Sequence, residues 1–156
     1  MARPKKNNMK LSEFISKSSI FLDVHADSQK NVFKILGNTF SKKNKTLSSL
    51  IIDKLNERER LGSTSVGYGI AIPHTKVKGI NKTQVIFLKL RNGVDFSASD
   101  GKKIDLVFSI IAPENSESDH LLILSSISNF IRKKQKVDRL RGSTNIEEVL
   151  FLFSKI

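Results

Sequence analysis

The stretch Arg58-Glu-Arg-Leu-Gly-Ser-Thr-Ser-Val-Gly-Tyr-Gly-Ile-Ala-Ile-Pro-His-Thr-Lys76 decides how the rest of the chain is read. Gly62, Gly67 and Gly69 punctuate it, and Ser63, Thr64 and Ser65 fill the first interval. Glycine lets a backbone turn tightly or approach a ligand closely. The apolar run Ile70-Ala71-Ile72 reads as a short strand, and Pro73 fixes its own φ while biasing Ile72 toward an extended shape. His74 is thus expected just past a strand end, at a stiffened point of the backbone, which is an unusual setting for a surface histidine.

Working outward, Leu47, Leu50, Ile51 and Leu55 recur at helical spacing just upstream, with Thr46 or Ser48 as cap and Gly62 as stop. Before it, Val32, Phe33, Leu36 and Phe40 predict a helix over 28–40 capped by Asp27, and Gly37 inside it marks a close packing contact. Residues 20–24 read as a strand, and Leu11, Phe14 and Ile15 as a brief apolar turn. Downstream, residues 76–81 read as a turn and 83–90 as a strand; Asn92-Gly93 and Asp100-Gly101 are turn signals, with Val94 and Phe96 as a small anchor between them. The nearly continuous apolar run over 104–112 reads as the central strand. A helix capped by Ser118 or Asp119 follows, its face outlined by Leu121, Leu124, Ile127, Ser128 and Ile131. The segment 132–141 is markedly basic and reads as a loop with a short helix. Asn145 and Glu148 have the spacing of a capping box before a last helix from Ile146. Helices alternating with short strands give an α/β layer structure in one domain, residues 10–156, behind a basic, flexible segment, residues 1–9.

The totals narrow the chemistry. With no cysteine among 156 residues, disulfides, thiol catalysis and thiolate metal sites are excluded. No apolar run approaches the ~20 residues of a membrane-spanning helix, and the N-terminus lacks a signal-peptide centre, so a cytoplasmic protein is expected. The formal charge of +12 favours anionic partners and admits nucleic acid, although specific nucleic-acid binding is not the expectation.

Only three histidines exist. His25 has no pattern around it and reads as a surface residue. His74 follows the constrained strand end, and His120 opens the helix after the central strand, where α/β proteins tend to build sites. A neutral imidazole can attack phosphorus while a hydrogen bond orients its second nitrogen. A second imidazole can donate to a phosphoryl oxygen, and a guanidinium can offset developing charge. His74 as nucleophile, His120 as partner and Arg58 as cation supply that inventory. The blander alternatives are a turn histidine, a helix-start histidine bonded to backbone or water, and an exposed helix-end arginine. A zinc site of His74 and His120 with Asp119 or Glu59 lacks a ligand motif. Gly67-Tyr-Gly69 lacks the third glycine of a dinucleotide fingerprint. Ser63 and Thr64 have no evident base and read as turn-bonding or phosphate-contacting residues.

Arg58-Glu59, Gly62-Ser63-Thr64 and Gly67 with Gly69-Ile70-Ala71-Ile72-Pro73-His74 resemble the phosphorylation-site signature of phosphotransferase-system enzyme IIA domains of the fructose/mannitol class, especially the stand-alone nitrogen-regulatory members. The resemblance covers residues 10–156 and implies one α/β domain with a mixed sheet flanked by helices. It implies that an HPr-like phosphocarrier donates a phosphoryl group to His74, with His120 as second active-site histidine and Arg58 as phosphate support. The family's phosphohistidine is linked through the ring nitrogen remote from the backbone. No metal and no organic cofactor are implied. Thr75 departs from the family's usual glycine after Pro-His and lies where it can affect the donor's approach. Three readings follow: a regulatory phosphohistidine carrier acting on target proteins, a soluble IIA component serving a separate sugar-specific IIB protein, and a non-catalytic interaction or nucleic-acid-binding module using the cations of 132–141.

Overall fold

The computed structural model describes residues 11–116 and 118–155; the expected flexible segment 1–9 lies outside them. Six strands form one mixed sheet: β1 (Ile20–Val24), β2 (Ser65–Gly67), β3 (Ile70–Ala71), β4 (His74–Val77), β5 (Gln84–Val94) and β6 (Ile104–Pro113). Their order is β1-β5-β6-β3-β2, with β4 also paired to β6. The helices are α1 (Gln29–Phe40), α2 (Lys45–Leu61), α3 (Asp119–Ile131), α4 (Lys134–Gly142) and α5 (Ile146–Phe153).

β6 is central because it is apolar on both faces. Leu106, Phe108 and Ile110 enter a core built with α3, α4 and α5, while Val107 and Ile111 enter a second core built with α1 and α2. Strand alternation thus sends one segment into both layers. One edge of β6 pairs antiparallel with β5. Its other edge takes two short parallel partners in succession: Ile70 and Ala71 oppose Leu106 and Val107, and His74 to Val77 oppose Ile110 to Pro113. The register offset is the same on both sides of the gap, so Ile72-Pro73 interrupts one interrupted strand rather than joining two unrelated ones.

Several expectations change. His74 does lie past a short strand, Ile70–Ala71, but it also opens the next one, β4, so Lys76 and Val77 belong to a strand rather than to a turn. The cause is the length of β6, which offers a free edge as far as Pro113 and lets Val77 become fully buried. Asn92-Gly93 makes no turn, because β5 continues to Val94, which pairs with Ile104 after a register irregularity. Burying Val94 there outweighs the local turn preference. The cap of α1 is Ser28 rather than Asp27, and that of α2 is Asn44 rather than Thr46 or Ser48; each side chain accepts the N–H three residues on. Ser118 stands at the N-cap of α3 without a side-chain capping bond, and the buried face of that helix is Ile123, Ile127 and Phe130. Leu121, expected inside, is exposed. Asn145 does cap α5, accepting from the Glu148 N–H at 2.8 Å. Gly37 does mark a close contact, since a Cβ there would lie 2.5 Å from Ile52 Cγ1. The basic segment folds as α4 with Val137 and Leu140 buried, and Arg141 is held by Asp105. Among the described residues no helix is long and apolar enough to cross a membrane.

Phe108 stands at the centre of an aromatic group, its ring centroid 5.0 Å from Phe87, 5.7 Å from Phe153 and 6.5 Å from Phe130. Phe108→Ala opens a cavity among three rings and is expected to cost about 3–5 kcal/mol, read as a lowered midpoint in urea denaturation; an unchanged midpoint would contradict this account of the core.

Candidate functional site

The C-terminal end of α2, the loop 62–64, the start of β4 and the start of α3 converge on the two histidines. The loop is organised by Glu59. One of its carboxylate oxygens accepts the Thr64 N–H at 3.0 Å and the other the Thr64 hydroxyl at 2.7 Å. Thr64 is itself buried, and its carbonyl accepts the Ile72 N–H at 2.9 Å. Ser63 Oγ accepts from the Ser65 N–H at 3.1 Å. The next peptide is held from the sheet: the Pro73 carbonyl accepts both the Ile110 N–H at 3.0 Å and the buried Ser109 hydroxyl at 2.9 Å. His74 therefore begins β4 between fixed peptides.

Its ring is fixed as well. His74 Nδ1 lies 2.6 Å from the Ile72 carbonyl oxygen. A carbonyl only accepts, so the shared proton belongs to Nδ1 and the lone pair of the neutral ring is on Nε2. Pro73 helps create this acceptor, since the interruption it marks leaves the Ile72 carbonyl turned to a side chain. The His120 ring lies beside that of His74, with centroids 5.0 Å apart and planes at 51°. His120 Nε2 is buried and has no hydrogen-bond partner among the described residues. An unpaired buried polar atom of this kind costs roughly 1–3 kcal/mol.

Arg58 donates through one terminal guanidinium nitrogen to the Gly62 carbonyl at 2.8 Å. Its charge nevertheless acts on both imidazoles. Burial first, and then the Arg58 charge, lower the pKa of His74, against an opposing effect of the Ile72 hydrogen bond. Burial, the neighbouring His74, Lys76 and Arg58 push His120 down to about 4. Lys76 reaches across to the Ser116 carbonyl at 2.6 Å and so ties β4 to the segment before α3. Both rings are accordingly neutral at pH 7, one with its lone pair on Nε2 and the other with an unpaired nitrogen.

The structure thus brings His74, His120 and the charge of Arg58 together, with Gly62, Ser63 and Thr64 in the adjoining loop. Thr75 is in β4 opposite Ile111, while Gly67 and Gly69 lie farther back at the β2–β3 hairpin. His25 is exposed and separate. In the sequence Glu59 reads as a metal-ligand alternative and as part of the Arg58-Glu59 pair, and that pair is the one signal for its larger role. The Ile72 and Pro73 carbonyls left no sequence signal, because every residue has one. Both Glu59 oxygens are occupied by Thr64, and among the described residues no three His, Cys, Asp or Glu side chains group to hold a metal ion.

The family described as "Phosphoenolpyruvate-dependent sugar phosphotransferase system, EIIA 2" is matched over residues 13–156. The chain belongs to this family. It is 30% identical over 141 residues to a nitrogen regulatory protein of Bradyrhizobium diazoefficiens, covering 90% of this chain and 92% of the relative. It superimposes with TM-score 0.86 and 31% identity on the crystal structure of nitrogen regulatory protein IIA-Ntr from Neisseria meningitidis, over 92% of this chain and 98% of the other. A third likeness is to the Escherichia coli complex of enzyme IIAMTL and phosphorylated enzyme IIBMTL, with TM-score 0.77 and 26% identity over 91% of this chain and 98% of the matched one. The mixed sheet flanked by helices is the fold of the fructose/mannitol IIA proteins, and this EIIA domain is related to the nitrogen-regulatory branch, with a general phosphorelay and regulatory role.

The lowered histidine values have a definite sign. Each folded-state pKa lies below the ordinary 6.5, so the unfolded chain binds more protons in the interval between. The histidine contribution to stability is complete above pH 6.5 and is lost as pH falls toward about 4. His120→Gln should flatten that part of the stability-versus-pH curve in urea denaturation, and an NMR titration should place the His120 midpoint below that of a free imidazole. A midpoint at or above 6.5 would contradict the site geometry.

Proposed function

We propose that this EIIA domain is a phosphohistidine carrier that accepts a phosphoryl group on His74 from an HPr-like protein and acts on target proteins according to its phosphorylation state. The observation that supports it most is the 2.6 Å contact between His74 Nδ1 and the Ile72 carbonyl, which leaves the lone pair on Nε2. In the proposed step that lone pair attacks phosphorus, and the P–N bond to the donor's imidazole breaks with its electron pair returning to the donor nitrogen. Nδ1–H is retained, and the positive charge that passes to the phosphorylated ring is met by the Ile72 carbonyl. With its proton on Nε2, His120 donates to a phosphoryl oxygen, and Arg58 offsets the negative charge in transit. Ser63 and Thr64 shape the loop beside that group, and no metal or organic cofactor takes part in the proposed relay. Kinship with nitrogen regulatory proteins supports the regulatory reading.

A second reading, transfer onward to a separate sugar-specific IIB protein, is favoured by the likeness to an enzyme IIA solved with its phosphorylated IIB partner. Incubation with phosphoenolpyruvate and the enzyme I and HPr-type proteins of the same source is expected to place acid-labile phosphate on His74. His74→Ala should carry none. His120→Ala should accept it about 10²-fold more slowly. Label elsewhere, or full labelling of His74→Ala, would overturn the relay. Rapid discharge to a IIB protein would select the second reading over the first.

A further inference from the structure

A cavity of ≈ 900 Å³ opens on the other side of the molecule's working strand, between the β2–β3 hairpin, the start of β6 and the α3–α4 corner. Asp105, at its edge, lies five residues before Ile110, the partner of His74, which is about 17 Å along a strand. The cavity is therefore separate from the histidine pair. Its volume is that of a small-molecule site. Val66, Ile131 and Val137 give it an apolar floor, and Lys102, Lys103, Arg132 and Lys134 stand around it. None of these four cations is in an ion pair among the described residues. Arg141 also lines the cavity but is engaged by Asp105, at 2.8 Å through each of two nitrogens. Asp138 is the remaining carboxylate of the wall. The concavity thus retains net positive charge.

The second observation is the residue at its mouth. Gly67 pairs with Ile70, so Tyr68 and Gly69 alone make the hairpin loop, with φ of 57° and 78°. A two-residue loop with positive φ at both positions favours Asn-Gly. A tyrosine in the first position carries backbone strain of order 1–2 kcal/mol. The fold imposes it by force: the Tyr68 N–H donates to Asp100 at 3.3 Å and its carbonyl accepts from Arg141 at 2.7 Å. Gly69 leaves no room for a side chain, since a Cβ there would meet Asp105 Oδ1 at 2.9 Å and Arg141 at 3.0 Å. Tyr68 so presented is 63% exposed, with the Lys102 ammonium 5.8 Å from its ring centroid. Strain spent to hold an aromatic ring over a basic, apolar-floored cavity has no use in packing.

We propose that this cavity binds a small phosphorylated molecule with a flat organic body, of the class of a nucleoside diphosphate. Its phosphates lie among Lys102, Lys103, Arg132 and Lys134, and its ring system stacks on Tyr68 above the apolar floor. The site is independent of the phosphoryl relay and does not rest on it.

Isothermal titration of the full chain with ADP, and separately with inorganic pyrophosphate, in EDTA at fixed ionic strength, tests this. ADP is expected to bind one to one and at least about tenfold more tightly than pyrophosphate. The exposed double variant Arg132→Ser/Lys134→Ser should weaken both by about tenfold or more. Tyr68→Asn should weaken ADP but not pyrophosphate, and should raise the melting temperature of the free protein; Tyr68→Phe should keep ADP binding. Equal affinity for the two probes would refute the organic-body assignment. No saturable ADP binding at ~1 mM, retention of affinity in the double variant, or loss of binding in His74→Ala instead, would each overturn the site.

Discussion

Everything at the histidine site hangs on the edge of β6 that β3 and β4 share. Parallel pairing there holds two short segments that could not stand alone: a two-residue strand and a four-residue strand in one register. Between them Pro73 has no N–H to give, so the ladder is broken for the space of two residues. That break is useful only because its remaining polar groups are assigned. The Pro73 carbonyl is taken twice by β6 and the Ile72 N–H once by Thr64, leaving the Ile72 carbonyl for an imidazole. The orientation of one side-chain nitrogen is thus set by sheet register rather than by a neighbouring side chain.

The two core layers meet the same strand from opposite sides, and each delivers part of the site. The α1–α2 layer brings Arg58 and Glu59 at the end of α2. The α3–α5 layer brings His120 at the start of α3. Neither group reaches its position by contact with the other. Both are carried by helices whose placement is decided by apolar packing on β6, where Ile123 and Ile127 lie on one side and Ile51 and Leu55 on the other. Burial that fixes the helices also removes water from the imidazoles, and this is the largest cause of their low basicity.

Much of this was legible in the residues. The helices over 28–40 and beyond 146 and the central strand follow from spacing, while His74, His120 and Arg58 stood out singly and were joined into one site by the family resemblance. What was not legible depended on distant partners. Asn92-Gly93 has strong turn chemistry, yet a buried Val94 paired to Ile104 overrides it. The face of α3 is legible at Ile127, and at Leu124 and Ile131 beside it, but not at its start, where leucines and isoleucines lie on two sides and only the sheet selects Ile123 over Leu121. Glu59 reads in the sequence as an unsupported metal ligand and as half of the Arg58-Glu59 pair; its hold on the loop emerges only when the loop folds back and offers both donors of Thr64.

The segment from Glu59 to His74 is clamped at several points along its length. Glu59 holds Thr64, Arg141 and Asp100 hold the backbone of Tyr68, Asp105 and Leu106 donate to the Gly69 carbonyl, and β6 holds Pro73. A segment pinned so often behaves as an arch between abutments, with little slack to rearrange when a charged group is added at one end. Under the proposed relay, a phosphoryl group on His74 therefore changes the local field far more readily than the local shape. Any partner that distinguishes two states of this surface must do so as an electrometer rather than as a caliper, and its discrimination will fade as salt shortens the reach of that field.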